Sequence, residues 1–300
     1  MPKSDNSSSE PGSAHTAFRF DIEGLRAVAV LAVVLFHADV PRVGGGFVGV
    51  DVFFVISGFL ITGLLRREVR TAGTVLLGRF YGARVRRLLP ASAMVGVVTA
   101  IGSAVLLPPL QARAVFGDGI ASALYVGNYW FLKNGTDYFA SDMPPSPFQH
   151  YWSLGVEEQF YLVWPAVIIG IAWLVRFTRR RRDAHAASSE TPYFVTLALI
   201  AALSFSISLA ATRAWPPSAF YQLPTRAWQL AAGGLVALTA GQWRRLPALL
   251  AAIAGWAGLA VIVLACTELN ATTPYPGTAA LIPVVGAVLV IGAGCAAPEQ

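Results

Sequence analysis

Four polar residues lie within two apolar segments near the start of the chain, where residues buried in lipid are expected to be apolar. Arg26 and His37 belong to the first segment, and Asp51 and Ser57 belong to the second. Arg26 and His37 are separated by about three helical turns, or roughly 16 Å along one face of a helix. Because ionisable groups inside a spanning segment are costly, they often mark a functional site. For each residue alone, a structural interpretation stays open: a snorkelling arginine, or a hydrogen-bonded histidine at a helix end.

A second group of polar residues lies in the stretch SPFQHYWSLGVEEQFYLVWP, residues 146–165. His150 and Glu157 are spaced so that they share a helix face, and Tyr161 follows on the same stripe. Glu157 and Glu158 lie at or inside the boundary of a long apolar run, where a carboxylate without a partner is unfavourable. The sequence therefore predicts a second polar site inside the membrane.

Arginines are concentrated in residues 66–88, a stretch that ends GRFYGARVRRLLP. Arg84 and Arg87 are one helical turn apart and are predicted to face the same way. Guanidinium groups hold phosphate oxygens bidentately, and Phe80 or Tyr81 could add stacking contacts. We predict a phosphate-binding site here. The alternative is that these arginines only fix the topology of the chain and contact anionic lipid.

Composition places most of the chain in lipid. The sequence is 55% hydrophobic and only 13% charged, with a mean hydropathy of +0.59, whereas soluble proteins carry roughly 25% charged residues. The net charge of +6 comes from basic residues clustered between apolar runs, a pattern of membrane loops rather than of nucleic-acid binding. Cys266 and Cys295 lack the spacing of a metal site or a disulfide framework. We therefore predict an all-α, polytopic membrane bundle without a metal ion or a nucleic-acid partner.

Apolar runs that could span a bilayer define the order of the helices. They are Leu25–Val40, Phe47–Leu65, Leu88–Leu107, Leu154–Val175, Tyr193–Ala211, Thr225–Ala240, Pro247–Cys266 and Thr278–Cys295. Residues 1–17 are polar and of low complexity, which predicts a disordered cytoplasmic tail. The positive-inside rule places the N-terminus and most of the 22 basic residues in the cytoplasm, with residues 108–150 kept outside as a re-entrant or loop region.

Taken in order, these motifs resemble those of acyltransferase family 3, the integral-membrane acyltransferases that O-acetylate bacterial surface glycans. The likeness runs from Phe18 to about Gly294. It is carried by Arg26 with His37, GGFVGVDVFFVISGFLIT with Asp51 and Ser57, FYGARVRRLLP with Arg84 and Arg87, HYWSLGVEEQFYLVWP with His150, Trp152, Glu157 and Tyr161, and TRAW with Arg226. Members similar to this chain often have an acidic residue where Gln229 stands. Many continue into further helices and an extracytoplasmic hydrolase-like SGNH domain, so we expect residues 18–300 to be a C-terminally incomplete acyltransferase 3 domain.

The resemblance implies a bacterial cytoplasmic-membrane enzyme that moves an acyl group, acetyl above all, from cytoplasmic acyl-CoA to a hydroxyl of an extracytoplasmic glycan. Acyl-CoA is then a co-substrate, and no bound cofactor is expected. The pKa of histidine suits proton transfer, so His37 is predicted as the general base or a transient acyl carrier. Arg26 would hold the donor or form an ion pair, and Asp51 and Glu157 would orient His37. The predicted substrate- and donor-binding residues are Arg84, Arg87, Ser57, His150, Trp152, Tyr161 and Arg226.

Several alternatives stay open at this point. The acceptor could be lipopolysaccharide, capsule, a teichoic or arabinogalactan-like glycan, peptidoglycan, another lipid-linked glycan or a secreted antibiotic. A transporter or flippase for a lipid-linked sugar or a proton-coupled substrate would also need buried ionisable side chains. The hydropathy pattern, however, shows no inverted repeat and no matching pair of broken helices. A sensor or scaffold without chemistry explains the intramembrane charges least well.

Overall fold

The computed structural model describes residues 19–135, 146–179 and 190–296. Within these ranges the chain is helical and contains no strand, which confirms the predicted all-α class. The helices are α1 Phe20–His37, α2 Gly49–Ala72, α3 Leu77–Leu106, α4 Pro109–Ala123, α5 Gly127–Lys133, α6 Tyr151–Arg179, α7 Thr191–Ala214, α8 Pro216–Tyr221, α9 Leu223–Leu238, α10 Ala240–Trp243, α11 Ala248–Glu268 and α12 Leu281–Ala296. The tail predicted for residues 1–17 lies outside the described residues.

Five of these helices are long and apolar enough to cross a membrane: α2 with its preceding 3₁₀ turn, α3, α6, α7 and α11. The predicted spans that begin at Leu25, Thr225 and Thr278 fall on α1, α9 and α12, which have 18, 16 and 16 residues. A polytopic membrane bundle is therefore confirmed, while eight crossings stay a prediction. Residues 108–150 contain α4 and α5, which contact each other and α6, and their side of the membrane also stays a prediction.

Helix α2 is the centre of the bundle and contacts α1, α6, α9 and α12. Two thirds of its most apolar window (67%) is buried, against 6% for α3. Its contact with α9 is made backbone to backbone. A Cβ atom added at Gly58 would overlap the carbonyl of Leu230, and one added at Gly233 would overlap the carbonyl of Val55. Small residues at such crossings let membrane helices approach closely, and this fixes the register of α2 against α9.

The α2–α9 contact gives a first prediction. Gly58→Leu is expected to prevent normal folding, because the new side chain meets the backbone of α9 and not a flexible neighbour. Gly63→Leu, on the same helix, is the matched control, since a Cβ atom there meets nothing within 4 Å. Size-exclusion chromatography of fluorescently tagged protein should show a monodisperse peak for Gly63→Leu and an aggregated or missing peak for Gly58→Leu. Equal profiles would contradict the close crossing.

The glycine-rich hairpin between α1 and α2 seats the start of α2 inside the bundle. Added Cβ atoms at Gly46 and Gly49 would overlap carbonyls of α1. The backbone N–H of Gly45 donates to the carbonyl of Cys266 at 2.9 Å, which ties the hairpin to α11. Because α2 begins in this enclosed position, Asp51 is buried in its first turn.

A proline in α6 leaves a backbone carbonyl without its helical donor, and a side chain of α3 contacts that carbonyl. Pro165 has no N–H, so the carbonyl of Tyr161 loses its usual donor one turn later. The hydroxyl of Tyr81 on α3 lies 3.3 Å from that carbonyl and 3.4 Å from the carbonyl of Leu162, and it supplies the missing hydrogen bond. The first turns of α3 are therefore held against α6 at the level of Tyr161.

Candidate functional site

Ser57, Glu157 and Tyr161 form one hydrogen-bonded group, which we call the carboxylate cluster. The hydroxyls of Ser57 and Tyr161 both donate to Oε1 of Glu157, and the two hydroxyl oxygens are 3.2 Å apart. Glu157 and Tyr161 lie one turn apart on α6, whereas Ser57 comes from the middle of α2. Hydrogen bonds from two hydroxyls hold the carboxylate in one position, and they connect it to two groups that can exchange protons.

Arg84 on α3 packs against the carboxylate cluster. Its guanidinium carbon lies 3.4 Å from the centre of the Tyr161 ring and 4.5 Å from that of Phe80, which is cation–π geometry. Glu158, the next residue of α6, is an electrostatic neighbour of Arg84. Within the described chain, Glu158 Oε1 and Arg84 Nε are buried without a hydrogen-bond partner. A guanidinium group and a carboxyl group with unused hydrogen-bonding capacity therefore adjoin the cluster, a combination that can receive a polar group of a ligand.

The two arginines predicted to grip phosphate have different surroundings. Arg84 is half-buried against the rings of α3 and α6, whereas Arg87 is exposed. Arg84 is therefore placed to reach the interior, and Arg87 to meet a ligand that arrives from solvent or from the lipid headgroups.

Asp51 is the centre of a second, fully buried network. Its Oδ1 accepts hydrogen bonds from Arg226 Nη1 at 3.0 Å and from Gln229 Nε2 at 2.5 Å, and its Oδ2 accepts one from Tyr275 Oη at 2.6 Å. Asp51 and Arg226 are each only 1% exposed. The network joins α2, α9 and the loop before α12 near the end of the bundle where α2 begins.

The side chain of Arg226 is buried, and its guanidinium group has hydrogen-bond and aromatic contacts in addition to Asp51. Its Nε donates to the carbonyl of Phe220 at 3.0 Å, and the rings of Trp152, Phe220 and Tyr275 lie 4.8–5.6 Å from the guanidinium. A buried ion pair needs such additional contacts to offset the loss of water. In this geometry Arg226 and Trp152 stabilise the bundle, and their predicted contact with substrate stays a prediction.

The hydroxyl of Tyr275 donates to Asp51 in this network. Burial and the neighbouring Asp51 carboxylate raise the pKa of Tyr275 well above its ordinary value. The phenol therefore keeps its proton across the physiological range and donates to Asp51 throughout. The loop before α12 is held in place by this bond.

His37 is the last residue of α1, at the same end of the bundle as the glycine-rich hairpin. Its Nδ1 lies 2.8 Å from the carbonyl of Val33. Because a carbonyl can only accept, this contact assigns the proton to Nδ1 and leaves the lone pair of the neutral ring on Nε2. The structure thus presents the tautomer that a general base needs.

His150 lies near His37, although the two are far apart in the sequence. Desolvation of its ring and the neighbouring His37 imidazole lower the pKa of His150 below its ordinary value. His150 is therefore neutral at physiological pH. The structure brings together the two histidines singled out from the sequence, at the end where the hairpin lies.

Three residues predicted to act with His37 or with the donor have other partners in the structure: Arg26, Asp51 and Glu157. Arg26 Nη1 lies 3.1 Å from Glu23 Oε1 on its own helix, so the ion-pair alternative for Arg26 has a local partner. Both oxygens of Asp51 are engaged by Arg226, Gln229 and Tyr275, and Glu157 binds the hydroxyls of its cluster. The group seen to orient His37 is the Val33 carbonyl. An orienting role for the two carboxylates stays a prediction.

Three residues outside the predicted set take part in these sites: Glu158, Gln229 and Tyr275. Gln229 could have been found, because it lies one turn after Arg226 on an otherwise apolar helix face. The sequence singles out Glu158 as the second carboxylate at the boundary of an apolar run but assigns it no role. Tyr275 lies in the turn PYPG, where no helical period relates it to Asp51.

Comparisons with known proteins show a consistent set of relatives. A family model described as an acyltransferase domain (Acyl_transf_3) matches residues 19–299. A Listeria monocytogenes protein named peptidoglycan O-acetyltransferase OatA is 44% identical over 154 residues, which is 51% of this chain and 25% of that protein. The putative peptidoglycan O-acetyltransferase YrhL of Bacillus subtilis is 35% identical over 217 residues, which is 72% of this chain and 32% of that protein.

A putative O-acetyltransferase of Staphylococcus aureus, SACOL0978, is also similar to this chain. It is 38% identical over 156 residues, which is 52% of this chain and 25% of that protein. The matched part of the chain thus spans between a quarter and a third of the length of these relatives. No solved structure matches the chain.

Proposed function

We infer, from the premise that this chain belongs to the acyltransferase 3 family, that it is a membrane-bound O-acetyltransferase of a cell-envelope glycan. The observation that carries the proposal is the family match, which covers nearly the whole chain, residues 19–299. The fold adds polar groups kept inside an apolar bundle, at the carboxylate cluster and around Asp51. Such groups are expensive in a membrane unless they serve chemistry or transport.

In the proposed reaction, the neutral imidazole of His37 takes the proton of the acceptor hydroxyl through Nε2. The acceptor oxygen forms a bond to the acyl carbon, the carbon–sulfur bond of the thioester breaks, and the proton passes from the imidazole to the leaving thiolate. Positioned acid–base catalysis of this kind contributes about 10²–10⁴-fold. Support comes from the Nδ1 contact with the Val33 carbonyl. That contact favours the tautomer that carries its proton on Nδ1.

The acyl donor is proposed to be cytoplasmic acetyl-CoA, bound at the arginine-rich end of the bundle. Arg84 and Arg87 both lie on the first turns of α3, and Arg84 reaches the ring of Tyr161 in the carboxylate cluster. This arrangement supports a path from the phosphate-binding arginines to the interior. The proposed topology has the N-terminus in the cytoplasm and the chain in the bacterial cytoplasmic membrane.

The acceptor is proposed to be peptidoglycan, because two relatives carry that word in their names. Lipopolysaccharide and the other glycans expected from the family are alternative acceptors. One experiment distinguishes them from peptidoglycan. O-acetyl groups are esters, so mild base releases them, and mass spectrometry of each purified glycan from cells with and without the gene identifies the one that changes.

The donor site gives a second prediction. Arg87→Ala is expected to raise the acetyl-CoA concentration for half-maximal rate roughly tenfold or more, because a hydrogen bond to a charged group contributes about 1.5–3 kcal/mol. The dependence on acceptor concentration should not change. Arg113→Ala, also an exposed arginine but in α4, is the control and should behave as the unmodified protein. An unaltered donor requirement in Arg87→Ala would assign that arginine to topology alone.

Membranes supplied with radiolabelled acetyl-CoA test the function itself. The proposal predicts base-labile label in glycan when the gene is present and none when it is absent. If no acceptor is labelled, and uptake or flipping of a lipid-linked sugar depends on the gene, then the chain is a transporter and the proposal fails.

A further inference from the structure

A groove runs between the start of α3 and the second half of α6, and we call it the α3–α6 groove. Its volume is about 580 Å³. The residues that shape it are Leu77 and Tyr81 on α3 and Leu162, Ala166, Gly170 and Trp173 on α6. The α6 residues follow one another at intervals of three and four, so they form a continuous stripe along the helix.

The groove is suited to a hydrocarbon chain. Its lining side chains are apolar apart from the Trp173 indole and the Tyr81 hydroxyl, and that hydroxyl lies within hydrogen-bonding distance of carbonyls of α6. An arm that carries amides, such as the pantetheine of coenzyme A, would lose hydrogen bonds to water there and would find few replacements. Methylene groups lose no hydrogen bonds there.

The groove opens sideways, toward the bilayer. Leu162 is 67% exposed and Trp173 is 64% exposed, and both α3 and α6 are candidate spans. From Leu162 to Trp173 the helix rises about 16 Å. This is close to half of the roughly 30 Å hydrocarbon core, so the groove has the depth of one leaflet.

Basic side chains lie at the end of the groove next to Trp173 and Leu77, which we call its shallow end. Arg176 follows Trp173 by one turn and donates to the carbonyl of Gly73 in the turn before α3. Arg79 is exposed two residues after Leu77. Two acidic side chains lie near this end among the described residues: Glu68, whose Oε2 accepts from the N–H of Leu76 at 3.0 Å, and Glu190, which pairs with Arg66 at 2.7 Å. With further arginines in the last turns of α2, the balance at this end favours an anionic headgroup.

We propose that the α3–α6 groove binds one acyl chain of an anionic membrane phospholipid, whose headgroup lies at the end marked by Arg79 and Arg176. The proposal does not depend on acyl transfer. It rests on the apolar lining, on the depth of one leaflet and on the charge at the shallow end. The bound chain would reach Tyr81, the residue that ties α3 to α6 beside the carboxylate cluster.

Gly170 offers a selective way to close the groove. A Cβ atom added there meets no heavy atom within 4 Å, so the side chain in Gly170→Leu can occupy the groove without disturbing the helices. Gly96→Leu is the matched control, because Gly96 lies on α3 away from the groove and its Cβ also meets nothing within 4 Å. Both variants should elute as monodisperse protein.

The experiment uses the complete chain in vesicles that contain phosphatidylglycerol with a diazirine in one acyl chain. After illumination, mass spectrometry should find label concentrated between Leu162 and Trp173 and on the first turns of α3. Gly170→Leu should lower this labelling at least about fivefold, and Gly96→Leu should leave it unchanged. Phosphatidylcholine with the same labelled chain should label the groove less.

Three results would overturn the proposal as a whole, and a fourth would overturn its choice of headgroup. Label spread evenly over the exposed faces of α3 and α11 would show only general lipid contact. Labelling that Gly170→Leu does not change would place the chain elsewhere. Loss of label when acetyl-CoA is added would assign the groove to the acyl donor. Equal labelling by the two headgroups would overturn the part of the proposal that concerns Arg79 and Arg176.

Discussion

Replacing Asp51 with alanine is expected to destabilise the protein by about 3–5 kcal/mol, because the change leaves a buried arginine without its counter-charge. Arg226 is 1% exposed and its ion pair is 3.0 Å long, so water cannot take the place of the carboxylate. Gln229 and Tyr275 would lose their acceptor at the same time. In thermal unfolding of the detergent-solubilised protein, the midpoint should fall by many degrees, or no folded protein should be recovered.

The double variant Asp51→Leu/Arg226→Met separates the charge effect from the loss of volume. Because both charges are removed together, it should recover part of the stability that Asp51→Ala loses, while Gln229 and Tyr275 still lack their acceptor. Asp21→Ala, which breaks a partly exposed ion pair, is the control. Asp21 pairs with Arg19 at 2.5 Å, but both side chains are about a quarter to a third exposed, so the loss should be below about 1 kcal/mol. Equal effects of Asp21→Ala and Asp51→Ala would contradict the account of the buried network.

Replacing His37 with alanine is expected to remove acetyl transfer, by about 10²–10⁴-fold, while the protein stays folded in the membrane. His37 is exposed at the end of α1, so its loss should change stability by less than about 0.5 kcal/mol. Base-labile label from acetyl-CoA measures the activity, and size-exclusion chromatography measures the fold. Near-normal transfer by this variant would remove His37 from the mechanism.

The neighbouring histidine gives a readout that does not depend on activity. The neighbouring His37 imidazole is one cause of the lowered pKa of His150, so His37→Ala should raise the pKa of His150 toward its ordinary value. The partial burial of the ring persists, and the return should therefore be incomplete. Titration of His150 by NMR in both proteins tests the proximity of the two rings. His150→Ala shows whether the second imidazole also contributes to transfer.

Local spacing along the helices predicted part of the carboxylate cluster. The interval between Glu157 and Tyr161 places both on one face of α6, and the structure has them hydrogen-bonded. The third member, Ser57, was singled out as a polar residue at mid-depth of its span. Its contact with Glu157 depends on how α2 packs against α6, and no local pattern in the sequence specifies that packing.

Long-range partners were the least predictable part. Asp51 and Arg226 were both identified as polar residues near the ends of apolar runs, but nothing relates residues 175 positions apart until α2 and α9 meet. Hydropathy gave the positions of the helices because the membrane requires apolar surface. Hydropathy predicted the ends of the helices less accurately. The first run was predicted to reach Val40, whereas α1 ends at His37 and Asp39 and Arg42 adopt left-handed backbone angles in the hairpin.

The separation of Asp51 from Arg226 has a consequence for synthesis of the protein. Translation proceeds at roughly 5–20 residues per second, so the ribosome needs about 10–35 s to add the 175 residues between the two charges. During that interval the hairpin of α1 and α2 has left the ribosome, while the cation that neutralises its aspartate does not yet exist. The nascent chain must therefore keep this carboxylate hydrated or sheltered at the insertion machinery until α9 arrives, and the centre of the bundle closes late.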